Sequence, residues 1–165
     1  MTTQKQIGLL SLPVFVAALG YFVDVYDLLL FTIVRQPSVM SLGSTTETII
    51  VDSAHIINWQ MSGLLIGGIV WGILGDKKGR LKVLFGSIVL YSAANFLTSF
   101  VQTVDQYAYC RFIGGIGLAG ELGAGITLVS EMLPKDKRGI GTSMVAGVGL
   151  FGAVFAYFTF KATSD

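Results

Sequence analysis

Gly72-Ile-Leu-Gly-Asp76-Lys77-Lys78-Gly79-Arg80-Leu81-Lys82 is the stretch on which the reading of this chain turns. Its last seven residues carry four cations and one acid. On either side the charge disappears. About 56–75 precede it and about 83–101 follow it, and both runs are apolar. A bilayer core about 30 Å thick needs about 20 residues of helix to cross it. The stretch therefore reads as a short cationic loop between two membrane spans.

The same measure finds three further spans, at about 9–34, 107–133 and 140–160. The chain is 53% hydrophobic and only 13% charged, too little charge to cover the surface of a soluble domain of this size. The expectation is an all-α membrane protein of five helices. Lys5 and the apolar run from Ile7 resemble a signal peptide, but the run continues past two aspartates with no persuasive cleavage site, so it is read as a retained span. The net charge of +1 gives no electrostatic reason to expect nucleic acid. One cysteine, Cys110, rules out an internal disulfide framework and a cysteine zinc site. His55 is read as a solvated side chain. No metal or cofactor is expected.

The connections alternate in charge. The segment 36–53 is rich in Ser and Thr, with Pro37 near the expected end of the first helix. The link at 102–106 is short and carries one acid. Pro134-Lys135-Asp136-Lys137-Arg138-Gly139 is again cationic. With the N-terminus in the cytoplasm, eight cations lie inside (Lys5, Lys77, Lys78, Arg80, Lys82, Lys135, Lys137 and Arg138) against Arg35 and Lys161 outside. The positive-inside rule favours that orientation, in an inner (plasma) membrane. Glycines recur along spans two, four and five. Gly114, Gly117, Gly120 and Gly123 stand at steps of three, a pattern that lets helix backbones approach closely in lipid.

Charges inside the spans are the most informative feature. Asp24 and Asp27 share a face of span one. Span four holds Arg111 toward the outer side and Glu121 near its midpoint. An acid or arginine at the bilayer centre costs roughly 2.5–3.5 kcal/mol on insertion scales, so these groups should face a bundle interior or a wet cavity. Arg111 lies about 15 Å outward of Glu121 at 1.5 Å per residue. It would reach inward to Asp27, with Asp24 and Glu121 near one depth. The proton affinity of Asp27 would then depend on whether Arg111 is engaged, and Asp24 and Glu121 would titrate as a pair. A buried ion pair that merely fixes packing is the bland alternative.

The cationic loop resembles the signature loop between helices two and three of the major facilitator superfamily: Gly, any, Leu, small, Asp, basic, any, Gly, Arg, basic. Leu81 departs from the final basic position, and Lys82 follows it. Arg111-Phe-Ile-Gly-Gly-Ile-Gly is similar to that family's helix-four motif. Ser130-Glu131-Met-Leu-Pro134 with Arg138-Gly139 is similar to its helix 4–5 junction. Asp24-Val-Tyr-Asp27 and Gly120-Glu121 resemble its proton-linked symporters for sugars, phosphate and organic acids.

The resemblance implies a major facilitator type helical bundle, with this chain as the first five helices of an N-terminal six-helix half, the C-terminal half being missing from it. It implies alternating access about a midplane site. The partners implied are a small solute, protons, the lipid bilayer and the missing half. It implies that Asp24, Asp27, Arg111 and Glu121 line the proton and substrate pathway. Gly72, Asp76, Lys77, Gly79, Arg80, Glu131 and Arg138 would form a cytoplasmic gate, with Asp76 capping a helix of the other half and Glu131 pairing with Arg138. Span five lacks the proline usual in drug antiporters of the family, which favours a symporter or uniporter. A static channel and a lipid-processing enzyme are the competing classes. The second would need a nucleophile or metal cluster that the sequence does not display.

Overall fold

The structure, a computed structural model, describes residues 11–164. Lys5, the first residues of the signal-like run from Ile7 and the expected first-span residue Leu9 lie outside the described residues. Five helices follow in order: α1 Leu12–Ser41, α2 Ile49–Lys78, α3 Arg80–Thr98, α4 Val104–Met132 and α5 Arg138–Ser164. Each is long and apolar enough to cross a membrane.

The largest departures from the expected ends are in α1 and α2. α1 continues through Pro37 to Ser41. Proline removes one helical N–H, but packing of the last turn outweighs that loss. Val39 is fully buried in a cluster with Phe31, Ile56, Tyr107 and Ala108. α2 begins at Ile49 rather than near Ile56. Asp52 sits in its first turn, where a carboxylate complements the positive end of the helix dipole. It also accepts a 2.7 Å hydrogen bond from Ser44 Oγ.

α2 and α3 are joined by Gly79 alone, at φ 92° and ψ 144°. A residue with a Cβ is strained at that φ, so the tight turn requires glycine. At the start of α4, Thr103 Oγ1 accepts from the Gln106 N–H at 3.2 Å, an N-cap.

α4 is the central helix. Half of its most apolar window is buried, against 22–28% for the other four. It packs chiefly on α2 and α3, while α1 packs chiefly on α5. Close approach rests on glycine. A methyl at Gly63 or Gly67 of α2 would strike the α4 backbone at Phe112 and Ile116, and one at Gly115 would strike the backbone of Gln60. A methyl at Gly117 would lie 2.7 Å from the Tyr91 backbone nitrogen of α3. Trp71 locks the same interface by donating its Nε1–H to the Ile116 carbonyl at 2.7 Å. Of the four-glycine stripe on α4, Gly123 meets nothing.

Three clusters mark the two ends of the bundle. Val14, Ala17 and Ala18 meet Val129, Leu133 and Val145, and Val83 and Leu84 meet Ala124 and Leu128. Both clusters lie toward the cationic loops, here called the basic end. The Phe31 cluster lies at the opposite end. Large apolar side chains such as Leu65, Phe151 and Phe155 remain outward-facing, as a lipid-embedded surface requires.

Candidate functional site

The intramembrane charges converge where α1 faces α3 and α4. Asp27 Oδ2 lies 3.3 Å from Arg111 Nη1. The same oxygen accepts a hydrogen bond from the Tyr91 hydroxyl of α3. The Arg111 side chain is 10% exposed and that of Asp27 24%. The guanidinium carbon sits 3.9 Å over the Phe31 ring centre and 5.6 Å from that of Tyr107. Such faces attract a cation and shield it from lipid. Yet Arg111 Nε is buried and meets no acceptor. A guanidinium has five N–H donors in a fixed fork, and one carboxylate oxygen at 3.3 Å uses little of it.

One turn toward the basic end lies Asp24. It is fully buried, and neither of its carboxyl oxygens meets a protein donor. The carboxyl groups of Glu121 and Asp27 and the Tyr91 hydroxyl lie near enough to act on it electrostatically. Glu121 is 8% exposed. Its carboxyl rests against the open face of Gly20, where an added Cβ would lie 2.9 Å from Oε1. Gly20 stands four residues before Asp24, on the same helix face.

The basic end carries a second cluster. Arg80 Nη2 lies 2.6 Å from Asp76 Oδ1, and its Nε lies 3.4 Å from Glu131 Oε1. Asp76 thus pairs within this chain, four residues from Arg80. The expected Glu131–Arg138 pair does not form among the described residues. Arg138 Nε instead donates to the Leu133 carbonyl at 3.2 Å. The end of α4 leaves carbonyls without helical partners, and the arginine that opens α5 satisfies one of them. Lys77 is exposed. Gly72 borders a cavity of about 210 Å³ together with Trp71, Arg80, Gly120 and Thr127.

Two residues outside the sequence expectation belong to the site. Tyr91 gave no signal, since a tyrosine in an apolar span reads as ordinary filling. Gly20 had a usable one: a glycine four residues before an intramembrane acid leaves room for a partner on the facing helix. His55, expected to be only solvated, has Nε2 3.3 Å from Asp105 Oδ1, with both groups largely exposed. Cys110 is a free, half-buried thiol. Among the described residues no group of three or more His, Cys, Asp or Glu side chains is placed to hold a metal ion.

Comparison with known proteins bears on the family. The profile of the Major Facilitator Superfamily matches residues 9–160. A Haemophilus influenzae protein named "Putative metabolite transport protein" is 34% identical over 140 residues, which cover 83% of this chain and 33% of that protein. Synaptic vesicle glycoprotein 2A of Rattus norvegicus is 33% identical over 94 residues, 57% of this chain and 13% of its own length. Synaptic vesicle glycoprotein 2B of the same species is 36% identical over 94 residues, 57% of this chain and 14% of its own length. The chain therefore spans about a third of the first relative and far less of the other two.

Proposed function

The chain belongs to the Major Facilitator Superfamily, and on that premise we propose that it is the front part of a secondary active transporter that carries a small polar solute together with protons. Members of this family sit in membranes and bind small solutes, and the five helices here make this chain a multi-pass membrane protein. The proposed working unit includes a second, C-terminal half outside this chain. The proposed orientation has the N-terminus and the basic end in the cytoplasm of an inner (plasma) membrane, following the distribution of lysine and arginine.

The observation that carries the reading is the Arg111–Asp27 contact, shared by Tyr91 on a single oxygen and seated between α1 and α4. A purely structural ion pair in lipid would gain most from a bidentate geometry with all donors met. This one is monodentate and leaves Arg111 Nε unmet. That arrangement suits exchange of partners. A solute with acceptor oxygens (an organic acid, a sugar or phosphate) takes donors of Arg111. Asp27, losing its cation, takes up a proton. Solute and proton then cross together, because each stabilises the state the other needs. The basic-end pairs of Arg80 with Asp76 and Glu131 tie the ends of α2, α3 and α4 together on that side. They are exposed and individually worth about 1 kcal/mol or less, which makes a reversible latch.

The test is uptake of labelled organic acids, sugars and phosphate by proteoliposomes holding the complete protein, with and without a pH gradient. Saturable accumulation driven by the gradient, lost in Asp27→Asn, is the expected result. Accumulation that ignores the gradient would convert the reading to uniport. Flux that does not saturate would convert it to a pore.

A further inference from the structure

We propose that Arg35 is the outer member of a two-arginine oxyanion site whose inner member is Arg111, and that the solute accordingly carries a carboxylate or phosphate group. Arg35 stands in α1 between Phe31 and Val39, four residues from each. Residues four apart share a helix face. Phe31 and Val39 are both buried in one cluster with Ile56 of α2 and Tyr107 and Ala108 of α4. Arg35 therefore turns toward the bundle at the end opposite the basic loops, one turn or about 6 Å outward of Phe31. The Arg111 guanidinium rests on that same Phe31 ring, 3.9 Å from its centre. Two arginines on two helices thus serve one aromatic side chain, about one helical turn apart in depth.

The second observation is what Arg35 lacks. The residue is half-buried, and its Nε is buried with no acceptor. Arg111 Nε is in the same condition. The acids near this end of the bundle are Glu47, Asp52 and Asp105. Asp52 accepts from Ser44, Asp105 faces His55, and Glu47 is exposed. Among the described residues the arginine–acid pairs are those of Arg80 and Arg111, and Arg35 has none. Asp27 offsets one of the two outer guanidiniums, and the other keeps its charge. A plain interface anchor would carry its head to water along the lipid face. Arg35 instead shares the inward face of Phe31 and Val39.

These two deficits define the ligand chemistry. A guanidinium offers its donors as a planar fork that matches a carboxylate or a phosphate. An oxyanion brings acceptors and a negative charge, which answer both the unmet Nε and the uncompensated cation. A sugar hydroxyl brings an acceptor without charge, and its own O–H then needs a partner. Arg35, nearer the outer end, meets the anion first. Arg111, deeper and 10% exposed, receives it next. A positive mouth of this kind raises the local concentration of anions, and salt weakens the effect.

That a solute takes this route rests on the proposed transport, but binding is measured with no gradient and no flux, so the two fail separately. Labelled benzoate, lactate, inorganic phosphate and glucose are offered to the complete protein in nanodiscs, and equilibrium binding is read. Saturable binding of at least one of the three anions, and none of glucose, is expected. Benzoate or lactate alone assigns a carboxylate, and phosphate alone a phosphate. Arg35→Gln weakens the bound anion about tenfold, as loss of a hydrogen bond to a charged group does. Arg35→Lys, which keeps the charge, recovers most of that loss, a rescue that a merely structural arginine would not show. Added salt weakens anion binding to the parent and acts much less on Arg35→Gln. Glucose binding without anion binding would overturn the proposal, and so would no anion binding at all. An anion affinity within about twofold of the parent in Arg35→Gln would also overturn it. Should Arg35→Gln lose its helical spectrum, Arg35→Met, which keeps an apolar stem, takes its place. Anion binding that persists while gradient-driven uptake fails would leave this site standing and remove the symport reading.

Discussion

The Tyr91 hydroxyl on α3 donates to the Oδ2 of Asp27 on α1, the same atom that Arg111 approaches from α4 at 3.3 Å. One carboxylate oxygen therefore ties three helices together. Tyr91→Phe keeps the ring that lies against Gly114 and removes only this donor. Hydrogen bonds between membrane helices average roughly 0.6 kcal/mol, and those to charged groups in soluble proteins roughly 1.5–3 kcal/mol. A loss of about 1 kcal/mol is expected in denaturant unfolding from mixed micelles. Solute affinity should change by more than that stability loss explains, because Arg111 becomes the only donor on Asp27.

Breaking the Arg111–Asp27 pair from one side leaves a buried charge without its counter-ion. Removing one partner of such a pair costs roughly 3–5 kcal/mol in soluble interiors. The long, monodentate contact puts this pair at the lower bound. Arg111→Gln and Asp27→Asn should each destabilise by about 3 kcal/mol. The double variant should cost clearly less than the sum, as a double-mutant cycle of unfolding would reveal. Strict additivity would mean that the two side chains do not interact.

Glycines that look alike in the sequence should behave differently. At Gly117 an added methyl meets the α3 backbone, which cannot swing aside. Overpacking of this kind costs roughly 1–3 kcal/mol, so Gly117→Ala should unfold at distinctly lower denaturant. Gly68→Ala meets nothing within 4 Å. It should be neutral or stabilising by up to about 1 kcal/mol through helix propensity. Equal losses at both positions would contradict the packing described.

Arg80 serves Asp76 through Nη2 and Glu131 through Nε. A lysine has the charge but not the fork. Arg80→Lys should therefore keep overall stability within about 1 kcal/mol, since Asp76 and Glu131 are exposed and their pairs are worth little. It should still raise accessibility at the basic end, read as faster thiol labelling of a cysteine placed at Thr127 beside the adjoining cavity. Unchanged labelling would remove Arg80 from the latch.

The spans were readable because lipid imposes one simple rule, about 20 apolar residues per crossing. The reach of Arg111 to Asp27 was expected from helical rise. What escaped depends on packing between helices. Val39 buries the last turn of α1 and carries the helix past Pro37, and no local signal announces that. Arg80 reaches Glu131 because Gly79 turns α3 back toward α4, whereas Arg138, nearer in sequence, spends its guanidinium on Leu133. Tyr91 entered the site only when the glycines of α4 drew α3 close enough for its hydroxyl to reach α1.

The uneven packing of the five helices gives the bundle a grain. α2, α3 and α4 interlock through glycine and the Trp71 indole, and α5 leans mainly on α1. The boundary between these two bodies runs past Asp27, Asp24 and Glu121, with the acids of α1 on one bank and Arg111, Tyr91 and Glu121 on the other. The two side-chain bonds to Asp27 thus cross a fault line, whereas the Trp71 bond to Ile116 lies within one body. In the proposed transport cycle, protons and solute would act where the least apolar contact has to be broken for one body to slip against the other.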